Sequence, residues 1–271
     1  MSSPPPPTPR TRQAEPTPYA GPSGPSGPSG PARPVVAVIP AKDEADRIGA
    51  TIDAVRSLPV VTRVVVVDDG STDATSERAA EHGAIVVRHD GNRGKAAAMA
   101  TGADAAVHAV GEGRDHLLLF VDADLEASAT ALLALVGPVE SGEADMTIAV
   151  LPPQRRAGGG HGFVVRLARG GVERLTGWVP TQPLSGMRCL SRAAYLAAQP
   201  LAGGWGVEVG LTVDVLRAGL RIVEVPCDLQ HRVTGSDWRG QVHRAAQYRD
   251  VARALRQRSG PRPRRLPPRS G

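Results

Sequence analysis

The chain has little that would cross-link it or carry it through a bilayer. Its 271 residues include two cysteines, Cys189 and Cys227, too few for a disulfide scaffold and without metal-ligand spacing, so both read as reduced core thiols. No window reaches the roughly 18 apolar residues of a membrane span. Runs such as Leu117 to Val121 and Ala129 to Gly137 end in acids or in Gly-Pro. The N-terminus lacks a charged region followed by an apolar stretch and a small-residue cleavage site, which predicts a cytoplasmic protein. Aromatics make up 3% of residues, leaving no stacking platform for single-stranded nucleic acid. Lysine is nearly missing, with Lys42 and Lys95 standing against thirty arginines.

What is present, 41% hydrophobic and 22% charged residues, is the composition of a globular chain near the size of one α/β domain. The net charge of +5 sits at the ends: residues 1–34 carry +2, residues 256–271 carry +6, and the body between them carries −3. A slightly acidic body is not the footprint of a nucleic-acid binder. Residues 1–34 are rich in Pro, Ser, Thr and Gly, with a Gly-Pro-Ser repeat, and cannot bury enough apolar surface to offset their ordering entropy. They are expected to form a disordered leader. Residues 256–271 alternate Arg with Pro and Gly and are expected to form a disordered tail, solvated or drawn electrostatically to anionic lipid.

Between the ends, short β-branched runs alternate with helical periods, which predicts βαβ units around a mostly parallel sheet flanked by helices. Strands are expected at Val35–Ile39, Arg63–Val67, Ala84–Val87, His116–Val121 and Asp145–Val150. Ile48, Ile52 and Val55 share one helical face, Asp73 is placed to cap a helix ending near His82, and Gly94–Val110 is Ala-rich. Residues 35–150 read as a nucleotide-binding half. Residues 151–255 read as an acceptor half on the same sheet, with a strand at Gly186–Leu190, a helix at Val207–Ala218, strands around Arg221–His231 and a last helix from Trp238.

In such a sheet, ligands bind where the C-terminal ends of strands meet loops. Pro40-Ala41-Lys42-Asp43-Glu44 follows the first strand and Asp68-Asp69-Gly70-Ser71-Thr72-Asp73 the second. Polar clusters there suit a base and ribose, although the second is equally a turn with a helix cap. Lys95 opens the Ala-rich helix, whose free N–H groups favour a phosphate. The Gly-x-x-x-x-Gly-Lys-Ser/Thr spacing of an ATPase loop is missing. Asp122-Ala123-Asp124 follows Leu-Leu-Leu-Phe-Val, and at a strand end its two carboxylates face one side, suited to a divalent ion that neutralises a departing diphosphate.

Ile39-Pro40-Ala41 with Glu44, Val67–Asp73, Gly94-Lys95 and Asp122-Ala123-Asp124, in this order and spacing, resemble a family 2 type glycosyltransferase of the GT-A fold. The resemblance implies that Pro40, Ala41, Glu44 and Asp69 contact a uridine-type nucleotide, that Lys95 and Asp122 lie beside it, and that Asp122 and Asp124 carry Mg²⁺ or Mn²⁺. Pro183-Leu184-Ser185-Gly186, Gly204–Leu211 and His231-Arg232 further resemble glucosyl-3-phosphoglycerate synthases. That implies substrate contacts at Ser185 and Gly186, Glu208 at the reaction centre, and His231 completing the metal site. From the residues alone, Glu208 is equally a first-turn acid favoured by the helix dipole, and His231 a half-buried structural histidine.

The chain departs from those synthases where an arginine and threonine would follow a glycine pair and hold the acceptor phosphate; it has Gly158-Gly159-Gly160-His161 instead. Arg166 and Arg169, three apart, fit an anion site or a solvated basic face. The resulting expectation is transfer of a sugar, glucose from UDP-glucose first, to a small phosphorylated acceptor such as 3-phosphoglycerate, or to polyprenyl phosphate at the inner membrane surface. A sugar nucleotidyltransferase is disfavoured, because the glycine-rich Thr-Arg loop after its first strand is missing. Monomer and homodimer both fit the sequence.

Overall fold

The computed structural model describes residues 33–152, 161–229 and 238–260, and at 161 and 238–244 the backbone alone. The expected leader up to residue 32, the glycines at 158–160, the expected metal ligand His231 and the tail from 261 lie outside the described residues.

Seven strands form one sheet among the described residues: β1 (Val35–Ala41), β2 (Val61–Asp68), β3 (Ile85–Arg88), β4 (Leu117–Phe120), β5 (Met146–Val150), β6 (Arg188–Ser191) and β7 (Ile222–Pro226). Their order is β3-β2-β1-β4-β6-β5-β7. β6 alone runs antiparallel, between β4 and β5. The sheet is therefore mostly parallel, as the alternating pattern predicts. The two halves share it closely, since β6 from the second half separates two strands of the first.

β1 is apolar on both faces because helices cover both. Val35, Ala37 and Ile39 join a core with α1 (Ile48–Arg56), whose Ile48, Ile52 and Val55 form the expected buried face, and with α4 (Leu133–Glu140). Val36 and Val38 point the other way, toward α3 (Lys95–Val110) and α7 (Val207–Arg217). Each fully buried Val or Ile contributes on the order of 1.5–3 kcal/mol. The small residues of α3 let it lie close to the sheet: a Cβ on Gly102 would overlap Val38 Cγ1 and sit 3.1 Å from Val67 Cγ2. A third cluster joins α5 (His161–Thr176), α7 and α8 (Trp238–Gln257) through Val164, Val172, Val213 and Val251.

Several expected boundaries move. α2 (Thr75–Glu81) starts after Ala74, not at an Asp73 cap. Asp73 still serves that turn, its Oδ1 accepting from Thr75 N at 3.1 Å and its Oδ2 from Ala45 N at 3.1 Å. β4 ends at Phe120, so Asp122 and Asp124 occupy the turn beyond it and not the strand. At the N-terminal side Arg33, placed in the expected leader, donates to Glu140 O at 3.1 Å. At the other end the packed chain continues past Leu255: α8 reaches Gln257, and Arg258 Nε donates to Asp214 Oδ2 at 2.8 Å. Arg258 is held because Asp214 and the α8 terminus meet it, which a count of tail arginines does not reveal. A helix over 133–140 enclosing Pro138, the helix α5 and the short α6 (Arg192–Ala197) were not expected from the periodicity. Among the described residues no helix is long and apolar enough to cross a membrane.

Candidate functional site

The C-terminal ends of β1, β2 and β4 open onto one cleft of about 690 Å³. Pro40, Ala41, Glu44, Asp69, Lys95, Asp122 and Asp124 all line it. Of the expected site residues, these seven are thus brought together, six by the ends of β1, β2 and β4 and Lys95 by the start of α3.

Each acid in the cleft has a distinct local role. Asp69 N donates to Ala41 O at 2.8 Å, locking the ends of β1 and β2 together. The Asp69 carboxylate is buried, and it accepts from Arg93 N at 2.8 Å and Gly94 N at 2.7 Å while contacting His89 Nδ1 at 2.7 Å. Burial would raise its pKa, but the His89 contact and the two N–H groups outweigh it and hold Asp69 below its ordinary value. Asp69 therefore fixes the loop before α3, and part of that helix's N-terminal donor capacity is already met from within the chain. Gly70, at φ +72°, is required here: a Cβ would come within 2.6 Å of the Gly91 carbonyl carbon. Glu44 is paired with Arg47, yet burial keeps its pKa raised. Asp43, with φ 54°, turns toward Lys42 Nζ at 2.8 Å, which with Thr72 N lowers its pKa to about 2.

At the cleft floor Lys95 joins the two halves. Its Nζ lies 2.9 Å from Asp122 Oδ1 and 3.1 Å from Glu208 Oε1, with 24% of the lysine side chain exposed and 4% of the glutamate's. Burial alone would lower the Lys95 pKa, but the two carboxylates raise it above its ordinary value and keep it an ammonium. Glu208 opens α7, so the dipole reading is geometrically correct, but the side chain turns inward to Lys95. Gly186 closes the same cluster. A Cβ there would sit 2.5 Å from Lys95 Nζ and 2.9 Å from Asp122 Oδ1, so a larger residue would push those side-chain ends from their present positions. Ser185 is 8% exposed, and its Oγ has no hydrogen-bond partner among the described residues.

Behind Lys95 a smaller cavity of about 140 Å³ continues between Asp122 and Glu208, walled by Val164, Leu184, Trp205 and Val251. Trp205 belongs to a 3₁₀ turn, Gly204–Gly206, pressed against α8; its N donates to Asp250 Oδ2 at 3.3 Å. The two arginines of α5 do not form a joint anion site. Arg169 donates to Pro180 O at 2.9 Å and Thr181 O at 2.7 Å, and Arg166 stacks 4.5 Å from the Phe163 ring centroid. Among the described residues no three His, Cys, Asp or Glu side chains gather as a metal cluster. Asp122 and Asp124 supply hard oxygen donors on one wall of the cleft, a set that fits Mg²⁺ or Mn²⁺ when a ligand's oxygens complete the shell.

Sequence reasoning missed three members of this region. His89 is buried between Asp69 and Thr101, and Asp250 supports the Trp205 turn from a distant helix. Arg188 is fully buried in β6; its signal was a lone charge in the apolar run Met187-Arg188-Cys189-Leu190.

Residues 36–170 match the family described as Glycosyl transferase family 2. The crystal structure of glucosyl-3-phosphoglycerate synthase from Mycobacterium tuberculosis in complex with Mn²⁺, UDP and glucosyl-3-phosphoglycerate superposes with a TM-score of 0.67 at 30% identity, over 83% of this chain and 80% of that one. The chain belongs to glycosyl transferase family 2. The fold of this family 2 member is accordingly the GT-A arrangement that the motifs imply. The same mycobacterial synthase in complex with Mg²⁺ and UDP gives a TM-score of 0.67 at 30% identity, over 83% and 79% of the two chains. Glucosyl-3-phosphoglycerate synthase of Mycolicibacterium paratuberculosis is 33% identical over 205 residues, covering 69% of this family 2 chain and 61% of that protein. The chain therefore spans about six tenths of that curated relative's length.

Proposed function

We propose that this chain transfers glucose from UDP-glucose to a small phosphorylated hydroxyl acceptor of the 3-phosphoglycerate kind. One observation carries the reading: Lys95, on the wall of the cleft, ties the donor-side carboxylate Asp122 to the acceptor-side carboxylate Glu208, which lines the smaller cavity behind it. The substrate class is supported by a relative, because the solved Mycobacterium tuberculosis synthase holds UDP with Mn²⁺ or Mg²⁺ and, in one complex, glucosyl-3-phosphoglycerate.

In this reading Pro40, Ala41 and Asp69 seat the uracil and ribose, and Glu44 borders them. Asp122 and Asp124, with His231, would hold the divalent ion, whose chemistry is to neutralise charge on the departing diphosphate. Lys95 places a second positive charge beside that leaving group. Ser185 and Gly186, the proposed substrate-contacting pair, lie on the loop that packs against Lys95 and Asp122. Glu208 is the proposed catalytic residue. Already facing an ammonium, it accepts a hydrogen bond from the acceptor hydroxyl and orients it toward the anomeric carbon.

The test is metal-dependent UDP release in the presence of 3-phosphoglycerate, comparing the chain with Asp124→Ala. The variant is expected to stay folded and lose at least a hundredfold in turnover. Unchanged turnover would overturn the assignment of the site.

A further inference from the structure

We propose that Arg188 is a positioning residue, which sets the height of the 183–186 loop against Lys95 and Glu208 without touching substrate itself. The inference rests on the transfer reading above for its functional meaning, but its geometry stands alone.

Arg188 is fully buried at the start of β6, where a charge is costly unless its donors are used. Its Nε donates to Ser185 O at 2.9 Å and an Nη2 hydrogen reaches toward Pro183 O at 3.5 Å, so one guanidinium holds two carbonyls of the same loop. Nη1 donates to Thr212 Oγ1 at 2.9 Å, and that hydroxyl donates to Glu208 O at 2.9 Å, one turn back along α7. The planar fork therefore links the loop carrying Ser185 and Gly186 to the helix turn carrying Glu208.

The loop's other end is fixed by Glu224 on β7, whose carboxylate accepts from Thr181 N at 2.7 Å and Gln182 N at 3.1 Å. Burial pushes the Arg188 pKa down to about 10, and the Glu208 and Glu224 charges oppose that shift, so the guanidinium stays ionised. Gly186 on the same loop packs against Lys95 and Asp122: a Cβ there would sit 2.5 Å from Lys95 Nζ and 2.9 Å from Asp122 Oδ1. Arg188 acts on the reaction centre through this contact, because the Ser185 carbonyl it holds adjoins Gly186.

The experiment uses the full chain with Arg188→Lys, which keeps a charge but cannot bond Ser185, Pro183 and Thr212 together. Two readouts are taken: amide hydrogen exchange at 185–187, without substrate, and kcat with UDP-glucose affinity. Exchange in the loop is expected to rise at least tenfold while α3 and β4 amides stay unchanged. kcat is expected to fall at least tenfold with UDP-glucose affinity within twofold. Unchanged loop exchange in a folded variant, or a nucleotide affinity that falls as far as kcat, overturns the proposal. Should Arg188→Lys not fold, Thr212→Val removes one arm of the link while retaining the arginine, with about threefold effects of the same kind expected and their absence overturning the inference. The exchange readout needs no turnover, so an inactive wild-type chain overturns the transfer reading without deciding this one.

Discussion

Replacing Lys95 with Met leaves the Glu208 carboxylate, 4% exposed, without its ammonium, and removes one contact of the 25% exposed Asp122. Deleting one partner of a buried ion pair typically costs about 3–5 kcal/mol, because the remaining charge stays desolvated. Lys95 and Asp122 are each about a quarter exposed, so solvent screens part of this and the expected loss is about 2–3 kcal/mol. For a chain of this size that lowers Tm by about 4–12 °C. The assay is urea unfolding of wild type, Lys95→Met, Glu208→Gln and the double variant at neutral pH. The sign of the pH effect follows from the raised lysine pKa: the contribution is complete below the ordinary lysine pKa and is lost only as alkaline pH passes through the folded-state value. Neutral pH therefore reads the full coupling. The cycle is expected to give a coupling of about 1–3 kcal/mol between positions 95 and 208. A coupling under about 0.5 kcal/mol would refute the view that Lys95 joins the two halves.

Three further outcomes follow from close contacts and burial. Gly102→Ala forces a methyl into Val38 and is expected to destabilise the chain by about 1–3 kcal/mol, read by urea unfolding. Gly186→Ala displaces Lys95 Nζ and Asp122 Oδ1, and should cut kcat/KM at least tenfold while Tm falls by only a few degrees; equal losses in a parallel Gly137→Ala control, where a Cβ meets nothing within 4 Å, would contradict it. Burial pushes the Cys189 and Cys227 thiols up to about 12 and 11, so neither should react with a thiol reagent at pH 8 until the chain unfolds, as absorbance of the released thiolate would report.

β1 and the second half of β2 were legible because β-branched runs buried on both faces leave few alternatives. Val35–Ile39 and Arg63–Val67 each differ from the observed strand by at most two residues at either end. The cleft was legible for a related reason: strand ends of a parallel sheet point one way, so motifs after β1, β2 and β4 had to converge. The antiparallel run of β6 was not, since direction depends on which neighbours a strand meets and not on its own pattern. Arg188 was hidden because its partners are backbone carbonyls and a threonine on another helix, none of which leaves a spacing signature. α4 was hidden by Pro138, which reads as a breaker in sequence although the helix encloses it.

The most direct measurement is product identification after incubating the purified chain with UDP-glucose, 3-phosphoglycerate and Mn²⁺, followed by mass spectrometry and by NMR of the anomeric signal. The account predicts a glucosyl-phosphoglycerate that forms in step with UDP release, requires the metal and disappears in Glu208→Ala. A folded chain that binds UDP-glucose with Mn²⁺ yet releases only free glucose, or whose Glu208→Ala variant forms product at the wild-type rate, would contradict it.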